Sequence, residues 1–242
     1  MRKIFVVIIA IFILQVQSVF ADFNAGIGLY IPLGASISQS YQDYKLGVNN
    51  SDGKLTTGAA FEWGIGITPG IYNGFDNYMG FSLSLDIAYH RDVYAYNESK
   101  LAGSTGQYQN VKTTYYFDTL NIGILPKFNI KSFFIGIGAG VKIPLAGGES
   151  TQNYNETYGQ FENANNYYTL QDIKNKYKML AIPYVKLTLD YLFYFSDETA
   201  LGIGAYVGYD FGPGVVNDAR FTKNDFGAVD VGGQVSLYFV DN

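Results

Sequence analysis

The chain has 242 residues, a formal charge of −5, 28 glycines, 22 tyrosines and 18 phenylalanines, against 6 prolines and no cysteine. The lack of cysteine rules out a disulfide framework and an acylated-cysteine anchor. A mildly acidic chain without basic clusters argues against nucleic acid as a partner, and the Gly- and aromatic-rich composition is that of a β protein.

Arg2 and Lys3 precede an apolar run at 4–14 and a polar 15–18, and Val19 and Ala21 are small enough for a signal-peptidase site. Residues 1–21 therefore read as a secretory signal cleaved after Ala21. Residues 22–242 have the length of one all-β domain, and no later apolar run is long enough for a spanning helix.

The first predicted strand, 23–33, sets Phe23, Ala25, Ile27, Leu29, Ile31 and Leu33 against Asn24, Gly26, Gly28 and Tyr30. A polar stretch at 36–57 follows, with Asn49-Asn50-Ser51-Asp52-Gly53 as turn chemistry. The second strand, 59–68, opposes Phe61, Trp63, Ile65 and Ile67 to Ala60, Glu62, Gly64 and Gly66; Pro69-Gly70 is expected to stop it, and a short turn at 72–77 follows. The third, 79–89, is the clearest: Met79, Phe81, Leu83, Leu85, Ile87 and Tyr89 alternate with Gly80, Ser82, Ser84, Asp86 and Ala88. Side chains alternate faces along a strand, so one face is wholly apolar. Eleven residues rise roughly 36 Å, or about 25 Å when tilted near 45°, which matches a bilayer core.

A second polar loop runs from His90 to about Thr113, and the fourth strand covers 116–127. The fifth, 133–145, follows a tight turn at 129–132 and carries glycines and Lys142 on its polar face. A third loop at 147–178 is rich in Asn, Tyr and Gln, with Tyr154, Tyr158, Tyr167 and Tyr168. The sixth strand, 179–193, places Tyr184, Lys186, Thr188 and Asp190 together; the seventh, 201–211, does so for Tyr206 and Asp210. A fourth loop at 212–225 leads to the eighth strand, 226–239, with Val235, Leu237 and Phe239 opposite Asp230, Gly232, Gln234, Ser236 and Tyr238. Connections alternate long and short, as in an up-and-down barrel with long loops outside the cell and short periplasmic turns. A weak echo relates 26–33 to 138–145, which reads as two strands obeying the same rim chemistry ahead of a duplicated half-barrel.

Alternation alone fits a soluble barrel as well. The polar face decides: a soluble exterior would be roughly a quarter or more charged, whereas this one is mostly Gly, Ser, Thr and Asn. Small residues suit the inside of a narrow barrel, where they make room for Tyr30, Tyr184 and Tyr206. Aromatic residues gather at strand ends as interfacial girdles: Phe23, Phe133, Tyr191, Phe193 and Phe239 at the short turns, Phe61, Tyr89, Tyr116, Tyr209 and Phe211 at the loops. The expected fold is all-β, an eight-stranded antiparallel up-and-down transmembrane β-barrel.

In this the chain resembles the small outer-membrane barrels of the OmpA/OmpX type over nearly all of 22–239. The resemblance implies residence in the outer membrane of a diderm bacterium, export by the general secretory pathway, and outer-membrane lipid and the barrel-assembly machinery as partners. Asp230, Gly232, Val235, Leu237 and Phe239 resemble the C-terminal signal read by that machinery, although Val240-Asp241-Asn242 runs past the usual terminal aromatic.

Inside such a barrel, Glu62, Asp86, Lys142, Lys186, Asp190, Asp210 and Asp230 form a charge network, readable as a salt-bridged plug or as an ion path. An eight-stranded interior is just filled by side chains, which favours the plug. Glu62 and Asp86 lie at heights suited to partner the two lysines. His90 is the lone histidine, and with no supporting spacing it reads as a rim residue; neither a catalytic constellation nor a cofactor is expected. A metal site is discounted for want of cysteine and a second histidine. The polar, Tyr- and Asn-rich loops suit contact with an extracellular ligand or host surface. The expected role is therefore structural or surface-interacting and non-enzymatic, with a small pore as the alternative and a lipid- or peptide-modifying enzyme behind it.

Overall fold

The computed structural model describes residues 24–45, 55–72, 79–101, 108–155, 160–178, 181–216 and 221–241. The signal segment 1–21, Phe23 and the turns at 49–53 and 73–77 lie outside these. The elements are β1 (Asn24–Tyr44), β2 (Leu55–Thr57), β3 (Ala59–Tyr72), β4 (Met79–Leu101), β5 (Tyr108–Ile130), β6 (Phe133–Asn155), β7 (Gln160–Tyr168), α1 (Leu170–Lys176), β8 (Ile182–Tyr194), β9 (Thr199–Asp210) and β10 (Phe221–Val240).

Among the described residues, eight strands hydrogen-bond in the ring β1-β3-β4-β5-β6-β8-β9-β10, every neighbour antiparallel. The ring closes where β10 pairs with β1, from Gly26↔Val240 to Tyr44↔Phe221. Closure leaves no unpaired edge, the condition for backbone to cross a bilayer as β structure. No helix among the described residues is long and apolar enough to cross a membrane; the crossing is made by strands.

The faces follow the period-two pattern. Leu29, Ile31, Ile65, Leu83, Leu85, Ile122, Ile124, Ile137, Val185, Leu187, Ile203 and Val235 all point outward and are exposed. Tyr30, Glu62, Ser84, Asp86, Lys142, Tyr184, Asp190, Asp210 and Asp230 are buried inside. This is the inverse of a soluble fold, and the outer surface is a band for lipid. Aromatic rings mark its two edges. Phe133, Tyr191 and Phe193 form a chain of edge-on contacts below, with centroids 5.0 and 4.9 Å apart. Above, Trp63 packs tilted against Tyr89 and Tyr209 edge-on against Phe211, at 5.7 and 4.9 Å.

The polar stretches expected as loops are corrected by the structure. Much of 36–57, 90–113, 147–178 and 212–225 is strand: β1 runs to Tyr44, β4 to Leu101 and β6 to Asn155, while β10 starts at Phe221. Strands β4, β5 and β6 each have 23 residues, about twice the 9–11 that a bilayer requires. The excess stands above the membrane, where neither face meets lipid and alternation of hydrophobicity loses its cause. β7 adds alongside the upper part of β6 and β2 alongside that of β4, which widens this wall.

Candidate functional site

The lumen is filled in layers. At the turn side, Tyr72, Phe134, Leu192, Ala200, Tyr238 and Val240 form a small apolar floor. Above it Lys127 Nζ donates to Asp190 Oδ2 at 2.7 Å and to the Tyr238 hydroxyl at 2.8 Å, and Gln234 Nε2 donates to Asp190 Oδ1 at 2.5 Å. The next layer centres on Asp86, which accepts from Tyr30, from Tyr184 at 2.7 Å and from Lys186 at 2.5 Å. Higher still, Lys142 Nζ meets Asp92 Oδ1 and Asp210 Oδ2, each at 2.6 Å, and Asp230 Oδ2 at 3.5 Å. Asp92 also accepts from Thr119 at 2.6 Å and lies 2.8 Å from His90 Nδ1. A cavity of about 40 Å³ bordered by Glu62, His90, Lys142 and Asp230 lies in this layer, large enough for a small number of waters.

Glycines decide how these groups reach one another. Register places Asp86, Gly123, Gly140 and Tyr184 side by side on β4, β5, β6 and β8. The Tyr184 ring crosses both glycines, so that a Cβ on Gly140 would meet its Cε1 at 2.9 Å. On the opposite wall Glu62, Gly34, Gly232 and Tyr206 follow the same order across β3, β1, β10 and β9. The Tyr206 hydroxyl reaches Glu62 Oε1 at 3.1 Å. Two tyrosines on adjacent strands thus span the wall in opposite directions, each over a glycine pair to an acid.

The outer mouth is closed by aromatics. Tyr94, Tyr96, Phe117, Phe226 and Ala228 from the barrel pack with Ile173 of α1 and with Tyr177. α1 starts at Thr169, whose side chain accepts from the Asp172 backbone while the Asp172 carboxylate accepts from the Thr169 backbone at 2.8 Å. This reciprocal cap fixes a short helix whose buried Ile173 serves as a stopper, worth about 1.5–3 kcal/mol if fully buried. It fills the gap left where β8 and β9 are short, and bonds from Lys178 N to Gly214 O and from Val216 N to Lys176 O, each 2.8 Å, tie it to the segment before β10.

A bulge controls one further contact. Register shifts between Asp118 and Thr119, which pair with Ala146 and Pro144 respectively, and Leu145 is extra. The added residue reverses facing beyond it and turns Gly147, Glu149 and Thr151 inward. Glu149 Oε2 then accepts from Tyr168 at 2.6 Å and from Lys176 at 2.9 Å, which fastens β7 and α1 to the mouth. Burial raises the Glu149 carboxyl, but these hydrogen bonds outweigh it and hold it below its ordinary value.

Every charge expected inside is inside. Of the two acids placed at suitable heights, the structure pairs Asp86 with Lys186, while Lys142 contacts Asp92, Asp210 and Asp230 and makes no ion pair with Glu62. Two members escaped the sequence reading. Lys127 stood at a predicted strand end and Asp92 in a predicted loop, although both have inward parity on β5 and β4. His90 lies within the lumen beneath the aromatic lid and is buried, not on the rim. Of the expected assembly signal, Val235 and Phe239 are exposed on the outer face and Asp230 is buried in the lumen.

No family model and no curated protein matches the chain. Among solved structures it is similar to the attachment invasion locus protein Ail of Yersinia pestis, crystallised with the heparin analogue sucrose octasulfate, at 12% identity and TM-score 0.35 over 88% of this chain and 99% of that one. It is similar to the Neisserial surface protein NspA at 11% identity and TM-score 0.34, over 86% and 95% of the two chains. For the outer-membrane protease OmpT of Escherichia coli the values are 11% and 0.39, over 92% and 98%. The closed ring and apolar belt give this chain the architecture of a small outer-membrane β-barrel.

Proposed function

We propose that this outer-membrane barrel is a surface-contact protein, non-enzymatic and non-conducting, whose working part is the structure that it holds above the bilayer. The observation that carries the reading is the filled lumen: an apolar floor, three layers of paired charge and an aromatic lid stand between the two ends. Beside the lid, the β6–β7 hairpin extends the wall, and Tyr167 on it is 80% exposed beside exposed Asn163, Asn165 and Asn166. Tyrosine and asparagine combine rigid contact area with adaptable hydrogen bonding and suit protein or glycan surfaces. His90 is held by Asp92 under the lid, a position that no macromolecular substrate outside the cell would reach. Export through the general secretory route and insertion through Asp230, Gly232, Val235, Leu237 and Phe239 belong to the same reading.

The test compares attachment of cells displaying the intact chain with cells displaying a variant whose hairpin tip, 152–164, is replaced by a short Asn-Gly turn and whose Asn165, Asn166 and Tyr167 are changed to Ser. Folding of both is checked by heat-modifiable migration, and binding is read on host-cell monolayers and on glycan and protein arrays. Attachment lost with the tip supports the proposal. Equal attachment, or reproducible conductance steps from the purified barrel in planar bilayers, overturns it.

A further inference from the structure

The upper lumen carries more negative charge than its cations answer. Lys127 is committed to Asp190 and Lys186 to Asp86. Among the described residues, Lys142 is then the one lysine facing Asp92, Asp210 and Asp230, with Glu62 lining the same cavity. Buried charges persist when they are paired or bind a metal. Two carboxylate oxygens here are buried with no hydrogen-bond partner, Glu62 Oε2 and Asp230 Oδ1.

We propose that Glu62, His90 and Asp92 form a site for a divalent transition-metal ion. The three are buried, and one potential ligand atom of each lies within 4.8 Å of the others. The β3–β4 ladder assembles them. Trp63 pairs with Arg91 and Gly64 with His90, so the next step along puts Glu62 opposite Asp92. Like charges directly opposite in an antiparallel pair destabilise it unless something sits between them. Gly64 supplies the room, because a Cβ there would collide with the His90 ring. The orphaned Glu62 Oε2 is the free ligand atom, and the neighbouring cavity has space for metal-bound water.

An imidazole with two carboxylates suits Zn²⁺ or Mn²⁺, for which His nitrogen and carboxylate oxygen are ordinary ligands at about 2.0–2.2 Å. Side-chain rotation closes the remaining separation. Asp92 Oδ1 is shared at present with Lys142, which keeps its contacts with Asp210 and Asp230 when the metal takes its place. The ion would stitch β3 to β4 inside the barrel, directly below the aromatic lid.

The experiment uses the full untagged chain, refolded in detergent after chelator treatment, exposed to Zn²⁺ or Mn²⁺ and dialysed. Bound metal is counted by mass spectrometry, and the thermal unfolding midpoint is taken with and without it. The expected result is one retained ion per chain and a raised midpoint, with Glu62→Gln and His90→Gln each weakening retention by about tenfold or more. Wild-type chain that keeps neither metal overturns the proposal whatever the variants do, and leaves protons as the neutralising charge. Equal retention by folded Glu62→Gln and His90→Gln overturns it as well. Cell attachment does not enter this readout, so its failure is separate from that of the surface-contact role.

Discussion

The Tyr184 hydroxyl donates to Asp86 at 2.7 Å from across two intervening strands, its ring lying over Gly140 and Gly123. The contact exists because neither glycine carries a side chain where the Tyr184 ring and hydroxyl pass. Gly140→Ala would place its Cβ 2.6 Å from the Gly123 Cα and 2.9 Å from the Tyr184 ring. Backbone cannot yield cheaply, so the expected cost is about 1–3 kcal/mol, as for overpacking elsewhere. Urea unfolding in lipid vesicles measures it, and an unchanged midpoint would mean that the tyrosine does not lie over the glycines. Tyr184→Phe keeps the ring but removes a bond to a charged acceptor, with an expected loss of about 1.5–3 kcal/mol.

The face assignment predicts a depth-dependent penalty. Leu85 is 50% exposed on the outer wall and pairs with Ile124 in the middle of the belt. Leu85→Arg should cost about 2–4 kcal/mol in a bilayer, whereas Tyr116→Arg, on the same face at the loop-side edge, should cost about 0–1. Equal costs at the two positions would show that the outer wall does not follow bilayer depth.

How far the sequence discloses this fold depends on where lipid touches the chain. Between Met79 and Tyr89 the odd residues meet hydrocarbon and the even ones the lumen, so the two faces differ in every residue and the strand is plain. Beyond Asp92, Tyr94 and Tyr96 still point inward, but Val93 and Ala95 between them are apolar and buried as well, so no alternation marks the two faces. The continuing strand then looks like a loop. Leu145 hides more, since one bulged residue reverses the facing of Glu149 and no periodicity announces it. Lys127 and Asp92 were open to discovery by parity alone. The partners of Lys142 were not, because they depend on the stagger that brings β4, β9 and β10 to one height around β6.

That stagger gives Lys142 three acids and Lys127 one, and the two should differ in consequence. Lys142→Met strands Asp92, Asp210 and Asp230 around an apolar tip, at an expected cost of about 3–5 kcal/mol. Lys127→Met leaves Asp190 with its bond from Gln234, so the penalty should be smaller. Denaturant unfolding of both variants in one detergent compares them directly. A Lys142→Met chain as stable as wild type would mean that bulk water already reaches the upper lumen, which would return the pore to favour.

Acid should loosen the mouth before the wall. Hydrogen bonds from Tyr168 and Lys176 hold the Glu149 carboxyl below its ordinary 4.5 in spite of partial burial. A depressed carboxyl contributes stability that is present above its unfolded value and lost as pH falls through the folded one. The docking of α1 should therefore be constant from neutrality to about pH 4.5 and weaken below it. The wild-type chain has no cysteine, so a single spin label at Lys174→Cys, exposed on α1, reports the helix alone. Its mobility should rise on acidification and be already raised near neutral pH in Glu149→Gln. The exposed Asp172 is also held low, by its bonds to Thr169, and titrates in the same direction. The Glu149→Gln comparison isolates the share of Glu149: a variant with the wild-type mobility at both ends of the range would assign the whole transition to the helix cap.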